Sequence, residues 1–129
     1  MQEAHETRIA VRWTDFDALG HLTHSVCFAY FDEARDALLA TLVGDFESWP
    51  NVLVHISADF RSEILRGPRE LGMRTRITGV GRSSIRFAQQ LLAPDGAVAV
   101  EAEAVLVAFD PKTRAARPIE QAERVALEA

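Results

Sequence analysis

One run of the chain limits its folding more than any other. From Ser25 to Gly44 the apolar residues Cys27, Tyr30, Phe31, Ala34, Leu38 and Leu42 recur at three- and four-residue intervals, the spacing of a helix with one sheltered stripe. Phe28, Ala29, Ala37 and Leu39 widen that stripe, so the arc that avoids water exceeds one side of the helix. Such a helix has to be wrapped. Ser25 is its expected cap and Gly44 its expected stop.

The flanking sequence supplies the wrapping. Before the helix, Ile9, Val11 and Trp13 alternate with Arg8, Ala10, Arg12 and Thr14, a strand with one buried face. After the Trp49-Pro50-Asn51 break, Val52, Val54, Ile56, Ala58 and Phe60 alternate with Leu53, His55, Ser57, Asp59 and Arg61. Beyond Gly67-Pro68 the inward set is Leu71, Met73, Thr75 and Ile77, and beyond Gly79-Val80-Gly81 it is Ile85, Phe87, Gln89 and Leu91. Pro94-Asp95-Gly96 reads as a hairpin turn. The strand that follows, Ala97 to Phe109, is apolar on both faces except for Glu101 and Glu103, which suits an interior place in a sheet. Pro118 to Ala126 predicts a short terminal helix.

Strand, helix and four antiparallel strands predict an α+β fold in which one long central helix is wrapped by a curved five-stranded antiparallel sheet. A chain of 129 residues suits a single domain, 1–129. The free edges and uncovered face of such a sheet predict association of copies into a homodimer or a dimer-of-dimers tetramer.

Charge and cysteine usage narrow the partners. Fourteen basic against nineteen acidic side chains leave a formal charge of -5, which argues against nucleic acid. Charges interrupt every apolar run before it could span a bilayer, and Met1 to Glu6 carries acids and a histidine instead of a basic, then apolar, leader; no membrane partner is expected. The single Cys27 cannot form an internal disulfide, so a reducing compartment, the cytoplasm, is expected. His5, His21, His24 and His55 lack metal-ligand spacing, and Gly79-Val80-Gly81 does not open a helix, so neither a metal nor an organic cofactor is expected.

The chemistry points to Asp15-Phe16-Asp17, paired carboxylates in a turn-rich stretch just ahead of the helix. Asp is a common turn residue, and structure alone accounts for such a pair. Its position adds something: the first N–H groups of a helix have no partner within it, and they can bind a developing oxyanion while a carboxylate acts as base or nucleophile.

The run Val11-Arg12-Trp13-Thr14-Asp15-Phe16-Asp17-Ala18-Leu19-Gly20-His21-Leu22, followed by Tyr30-Phe31-Asp32-Glu33-Ala34-Arg35, resembles the opening of the hotdog-fold acyl-CoA thioesterases, in particular the 4-hydroxybenzoyl-CoA thioesterase family. The resemblance continues through Gly81-Arg82-Ser83-Ser84 and Arg117-Pro118-Ile119-Glu120. It implies a helix wrapped by a curved sheet and an acyl-CoA or acyl-carrier-protein substrate. It also implies that Asp17 acts on the thioester, and that backbone N–H groups near His24 and Ser25 polarise its carbonyl. By the same resemblance Asp32 contacts the acyl group, and Arg82, Ser83 and Ser84 reach the CoA nucleotide. Many relatives carry Asn-Asn where this chain has Thr23-His24, so His24 is also a candidate side-chain donor or base. Two readings without chemistry stay open: an acyl-CoA or acyl-carrier binding module, and a structural subunit of the same fold. Elsewhere His55 reads as a core or interface histidine, His21 as a hydrogen-bonded turn residue, and Glu101 and Glu103 as solvated or paired with Arg74 or Arg76.

Overall fold

The computed structural model describes residues 3–129; Met1 and Gln2, part of the Met1 to Glu6 stretch read above, lie outside the described residues. Strand β1 (His5–Ala10) runs through a short helical turn, Trp13–Asp15, and a loop into α1 (His24–Leu42). Then follow β2 (Asn51–Phe60), β3 (Glu70–Val80), β4 (Ser84–Leu92), β5 (Val98–Asp110), the two-residue β6 (Ala115–Ala116) and α2 (Gln121–Glu128). The sheet order is β1-β3-β4-β5-β2, with β6 paired to β5, so β5 is interior and β1 and β2 are the edges. Every pairing is antiparallel.

The alternation in β3 and β4 decides which face meets the helix. Leu71, Met73 and Ile77 of β3 and Ile85, Phe87 and Leu91 of β4 are all under one-tenth exposed, and they pack with Phe31, Ala34, Leu38 and Leu39 of α1. Each such side chain contributes about 1.5–3 kcal/mol by leaving water. The two polar members of that face, Thr75 and Gln89, are buried as well, and they are satisfied: Gln89 Nε2 donates to Phe31 O at 3.0 Å and to Thr75 Oγ1 at 3.2 Å. Its Oε1 accepts from Arg35 Nη1 at 2.8 Å, and Arg35 also bonds Asp32. A buried guanidinium on the core side of α1 was not legible in its apolar stripe.

Several expectations need correction. The sheet has six strands, because Ala115–Ala116 extends the β5 end, and two helices complete the fold. The first strand stops at Ala10, and Trp13 is 72% exposed. Asp15 ends the strand by accepting from Arg12 N–H at 2.9 Å and from Tyr30 O–H at 2.6 Å, which bends the chain into a turn. The residue that caps α1 is Thr23, with Ser25 already inside the helix, and Thr23 uses no side-chain bond to do so. Ala29 of the helix is exposed, so a single chain leaves part of α1 unwrapped.

Strand β2 departs most. A bulge between Leu53 and His55 puts Leu53 opposite buried Leu106 and His55 opposite Val105, so Leu53, Ile56, Ala58 and Phe60 share the helix face while Val52 and His55 lie on the other. Because β2 is an edge, even these inward residues stay open: Leu53 is 40% and Phe60 50% exposed, and Val54 at the bulge is 57% exposed. His55 is exposed within the chain rather than in its core. Across the outer face Glu101 pairs with Arg61 at 2.7 Å and Arg74 with Glu6 at 3.1 Å, in place of an Arg74–Glu101 pair.

Candidate active site

Asp15 and Asp17 stand two residues apart in opposite environments. Asp15 is 2% exposed. Burial alone would raise its pKa, but the Tyr30 hydroxyl, the Arg12 N–H and the Arg12 charge outweigh it and hold the carboxyl below its ordinary value. The same contact, with burial foremost, raises the Tyr30 phenol. Asp15 is therefore the anchor of the loop. Its carbonyl also accepts from Thr23 N–H at 3.0 Å, which fixes where α1 begins.

Asp17 is exposed. Its Oδ1 accepts from Leu19 N–H at 2.9 Å and from His21 N–H at 3.0 Å, while Oδ2 has no donor among the described residues. Chiefly the His21 N–H, with help from the Leu19 N–H and the positive charge of Arg66, lowers its pKa. The carboxylate is thus ionised, oriented and open on one oxygen. Gly20, at φ 80°, makes the reversal that carries the Leu19 and His21 amides onto it.

A small ladder ties this loop to the helix. Thr23 N–H bonds Asp15 O, Phe16 bridges Leu22, and Asp17 N–H donates to His21 O at 2.9 Å. Asp17 therefore stands two residues along the ladder from the level of Thr23, about 7 Å. At the helix start the N–H groups of His24 and Ser25 have no acceptor among the described residues. The His24 ring packs edge-on against Phe60, centroids 6.2 Å apart. Leu22, Cys27, Phe60 and Ile64 line a cleft of about 400 Å³, with His21 and Glu63 at its polar side. His21 Nε2 sits 2.7 Å from Glu63 Oε2, the turn bond expected of it. Burial pushes the Cys27 thiol up to about 11, which keeps it protonated and unreactive.

The remaining predicted residues lie elsewhere in the same chain. Asp32 is exposed and lines a separate cleft with Arg35, Asp36, Phe46 and Leu53. The Arg82-Ser83-Ser84 turn joins β3 to β4, at the far end of β3 from Glu70, which pairs with Ala10. Eleven residues of strand separate the two ends, roughly 30 Å. Its backbone is held there by Ile119 N–H to Arg82 O and Ala108 N–H to Ser83 O, both 2.8 Å. Asp17, His24 and Ser25 are thus gathered at one end, and Asp32 and the Arg82 turn are not gathered with them. Sequence reading also missed Tyr30 and Arg66, whose contacts with this loop span 15 to 50 residues. Among the described residues no group of three His, Cys, Asp or Glu side chains is placed to hold a metal ion. No helix is long and apolar enough to cross a membrane, among the same residues.

Comparison with known proteins adds to this geometry. The model of a family described as the Thioesterase-like superfamily matches residues 11–127. A thioesterase from Thermus thermophilus, solved in complex with coenzyme A and Zn, is 29% identical, with a TM-score of 0.86 over 96% of this chain and 97% of that one. A protein of Pseudomonas aeruginosa strain PAO1 is 26% identical, with a TM-score of 0.84 over 98% and 91% of the two chains. A putative thioesterase of Pseudomonas aeruginosa is 25% identical, with a TM-score of 0.85 over 97% and 98%. No curated protein matches.

Proposed function

The chain belongs to the thioesterase-like superfamily and is a thioester hydrolase, and from that premise we propose that it cleaves an acyl-CoA to the free acid and CoA, with Asp17 as the acting carboxylate. One observation carries this reading. The unpaired N–H groups of His24 and Ser25 lie between Leu22 and Cys27, two residues that line the cleft beside the Asp17 loop. A thioester carbonyl bound here would have its carbon about 3 Å from the carboxylate and its oxygen about 3 Å from the N–H donors.

Two routes use this arrangement. In one, Asp17 Oδ2 takes a proton from water as the water oxygen attacks the carbonyl carbon, and CoA leaves as the thiolate. In the other, Oδ2 attacks the carbon itself and expels the thiolate; water then cleaves the resulting anhydride and returns the carboxylate. The N–H pair stabilises the oxyanion in both. His24 contributes through its backbone, since its ring is packed against Phe60.

The other implied residues join this site from a second copy. The exposed edge of β2, with Val52, Val54 and Phe60 open, is the surface through which two chains associate, and the partner brings Asp32 to the acyl group and the Arg82-Ser83-Ser84 turn toward CoA. The Thermus thermophilus relative was solved with coenzyme A, in keeping with CoA as the carrier. The lone buried Cys27 suits the cytoplasm.

The test is thiol release from a panel of aromatic, short-chain and long-chain acyl-CoAs and an acyl-carrier-protein thioester, followed with a thiol reagent. Release from at least one acyl-CoA is expected. Binding without release from any of them identifies a binding module and overturns the reading. Light scattering at micromolar concentration checks the shared site, which a species of 14.3 kDa would exclude.

A further inference from the structure

A second cleft adjoins the Asp17 loop and is separate from the one assigned to the thioester. Arg12, Trp13, Phe16, Arg66, Pro68 and Arg69 line it, and its volume is about 230 Å³. Three arginines line it in a chain whose formal charge is -5. Arg12 has a carboxylate neighbour, the buried Asp15, 3.5 Å away. Arg66 donates only to carbonyl oxygens, Phe16 O at 3.4 Å and Asp17 O at 3.2 Å, and its Nε is buried without a partner. Arg69 has no carboxylate partner among the described residues. Two of the three, Arg66 and Arg69, therefore form no ion pair among the described residues.

Trp13 is the second half of the observation. It is 72% exposed, although burying an indole would contribute as much as any core residue. Arg66 lies over the ring at 3.9 Å from its centroid and locks the indole in place, with most of its surface left to solvent. An open aromatic surface beside arginines that form no ion pair is what recognises a planar base carrying phosphate: the ring stacks, and the forked guanidinium binds phosphate oxygens in pairs.

We propose that this cleft binds the adenine nucleotide of CoA, with the phosphates on Arg66 and Arg69 and the base against Trp13. The inference rests on the acyl-CoA reading and deepens it, because it selects CoA over a phosphopantetheinyl carrier protein, which has no nucleotide. Arg66 lines the cleft and also donates to the Asp17 carbonyl, so the nucleotide is held beside the Asp17 loop.

The experiment measures CoA binding by calorimetry, with adenosine 3′,5′-bisphosphate, 4′-phosphopantetheine and inorganic phosphate as separate probes. The double variant Trp13→Ala/Arg69→Ala is compared with the wild type; both side chains are exposed, and a thermal melt checks that it folds. CoA and the bisphosphate should each bind about tenfold more weakly to the variant, with 4′-phosphopantetheine little changed. In the wild type the bisphosphate should also quench the emission of Trp13, since Trp49 is only 4% exposed. Where thioesters are hydrolysed, the kcat/KM of an acyl-CoA relative to that of the matching acyl-pantetheine should fall by a similar factor. Equal binding of CoA by variant and wild type overturns the proposal, as does a wild type that binds no CoA. Weakening confined to inorganic phosphate or 4′-phosphopantetheine overturns the nucleotide assignment. A protein that binds CoA through this cleft and hydrolyses no thioester keeps the inference and removes the activity instead.

Discussion

The loop around Asp17 and the clamp around Glu123 hold carboxylates of lowered pKa at different places in the fold, and they differ in what is left over. Glu123 accepts from both Arg117 Nη atoms at 2.9 Å, from Glu120 N–H at 2.9 Å, and from the Trp49 indole. Both of its oxygens are committed, and α2 is fastened to the body of the fold as a result. Asp17 has two donors on one oxygen and none on the other among the described residues. A carboxylate that holds a structure together spends its lone pairs on partners, whereas one that reacts must keep an oxygen free. Asp15, with both donors on Oδ2 and Arg12 Nε 3.5 Å from Oδ1, is kept structural by burial instead: it is 2% exposed, although it sits beside Asp17 in sequence.

The sharpest way to break the contrast is to change each acid to its amide. Asp17→Asn should fold with near-wild-type stability and lose on the order of a hundredfold or more in kcat, with KM for the acyl-CoA little affected. Asp15→Asn should lose roughly 1–3 kcal/mol of stability, because a buried, charge-assisted acceptor of the Tyr30 hydroxyl is replaced by a group with a donor facing the wrong partner. Steady-state kinetics and urea denaturation of both variants separate the roles. A stable Asp15→Asn that lost turnover beside an active Asp17→Asn would reverse the assignment.

How far these roles could be read in advance depends on the range of the interactions. The α1 stripe and the β3 and β4 alternations are local patterns, and Cys27, Phe31, Leu38, Met73 and Phe87 are buried as their spacing required. Asp17 stands out as a candidate because a motif of a dozen residues contains it. In β2 the alternation was present and misleading, since one bulge reverses the faces of Val52 and Leu53. Trp49 meets Glu123 across 74 residues and Arg35 meets Gln89 across 54, pairings to which no periodicity points. The Arg66–Trp13 stack is of the same kind, and Trp13 reads in sequence as an ordinary strand residue.

The clamp itself makes a pH prediction. The two Arg117 N–H groups foremost, then Glu120 N–H and the Trp49 indole, bring Glu123 down to about 2 from an ordinary 4.5. A depressed carboxylate stabilises the fold above its unfolded pKa, and that stability is lost as pH falls through the folded value. The wild type should therefore lose up to about 3 kcal/mol from this group between pH 4.5 and 2. Glu123→Gln should start lower at neutral pH and lack that part of the acid transition, as a series of thermal melts would register. Identical pH profiles for the two proteins would mean that the clamp does not hold α2.

The smallest effect is expected at Arg82, and it weighs two places for the CoA nucleotide against each other. The Arg82 turn lies roughly 30 Å from the loop end of its own chain, so it reaches the thioester site only from a partner, and its guanidinium is exposed. An exposed arginine on a phosphate is worth at most about 1 kcal/mol, roughly a fivefold change in KM, and it acts equally on substrate and transition state. Arg82→Ala should thus raise KM for acyl-CoA a few-fold at constant kcat, by less than the Trp13→Ala/Arg69→Ala variant. If both touch one CoA from two subunits, combining the two sets of substitutions should raise KM further than either set alone. A larger effect at Arg82 than at the double variant would move the nucleotide to the partner's turn and leave the Trp13 cleft outside the site.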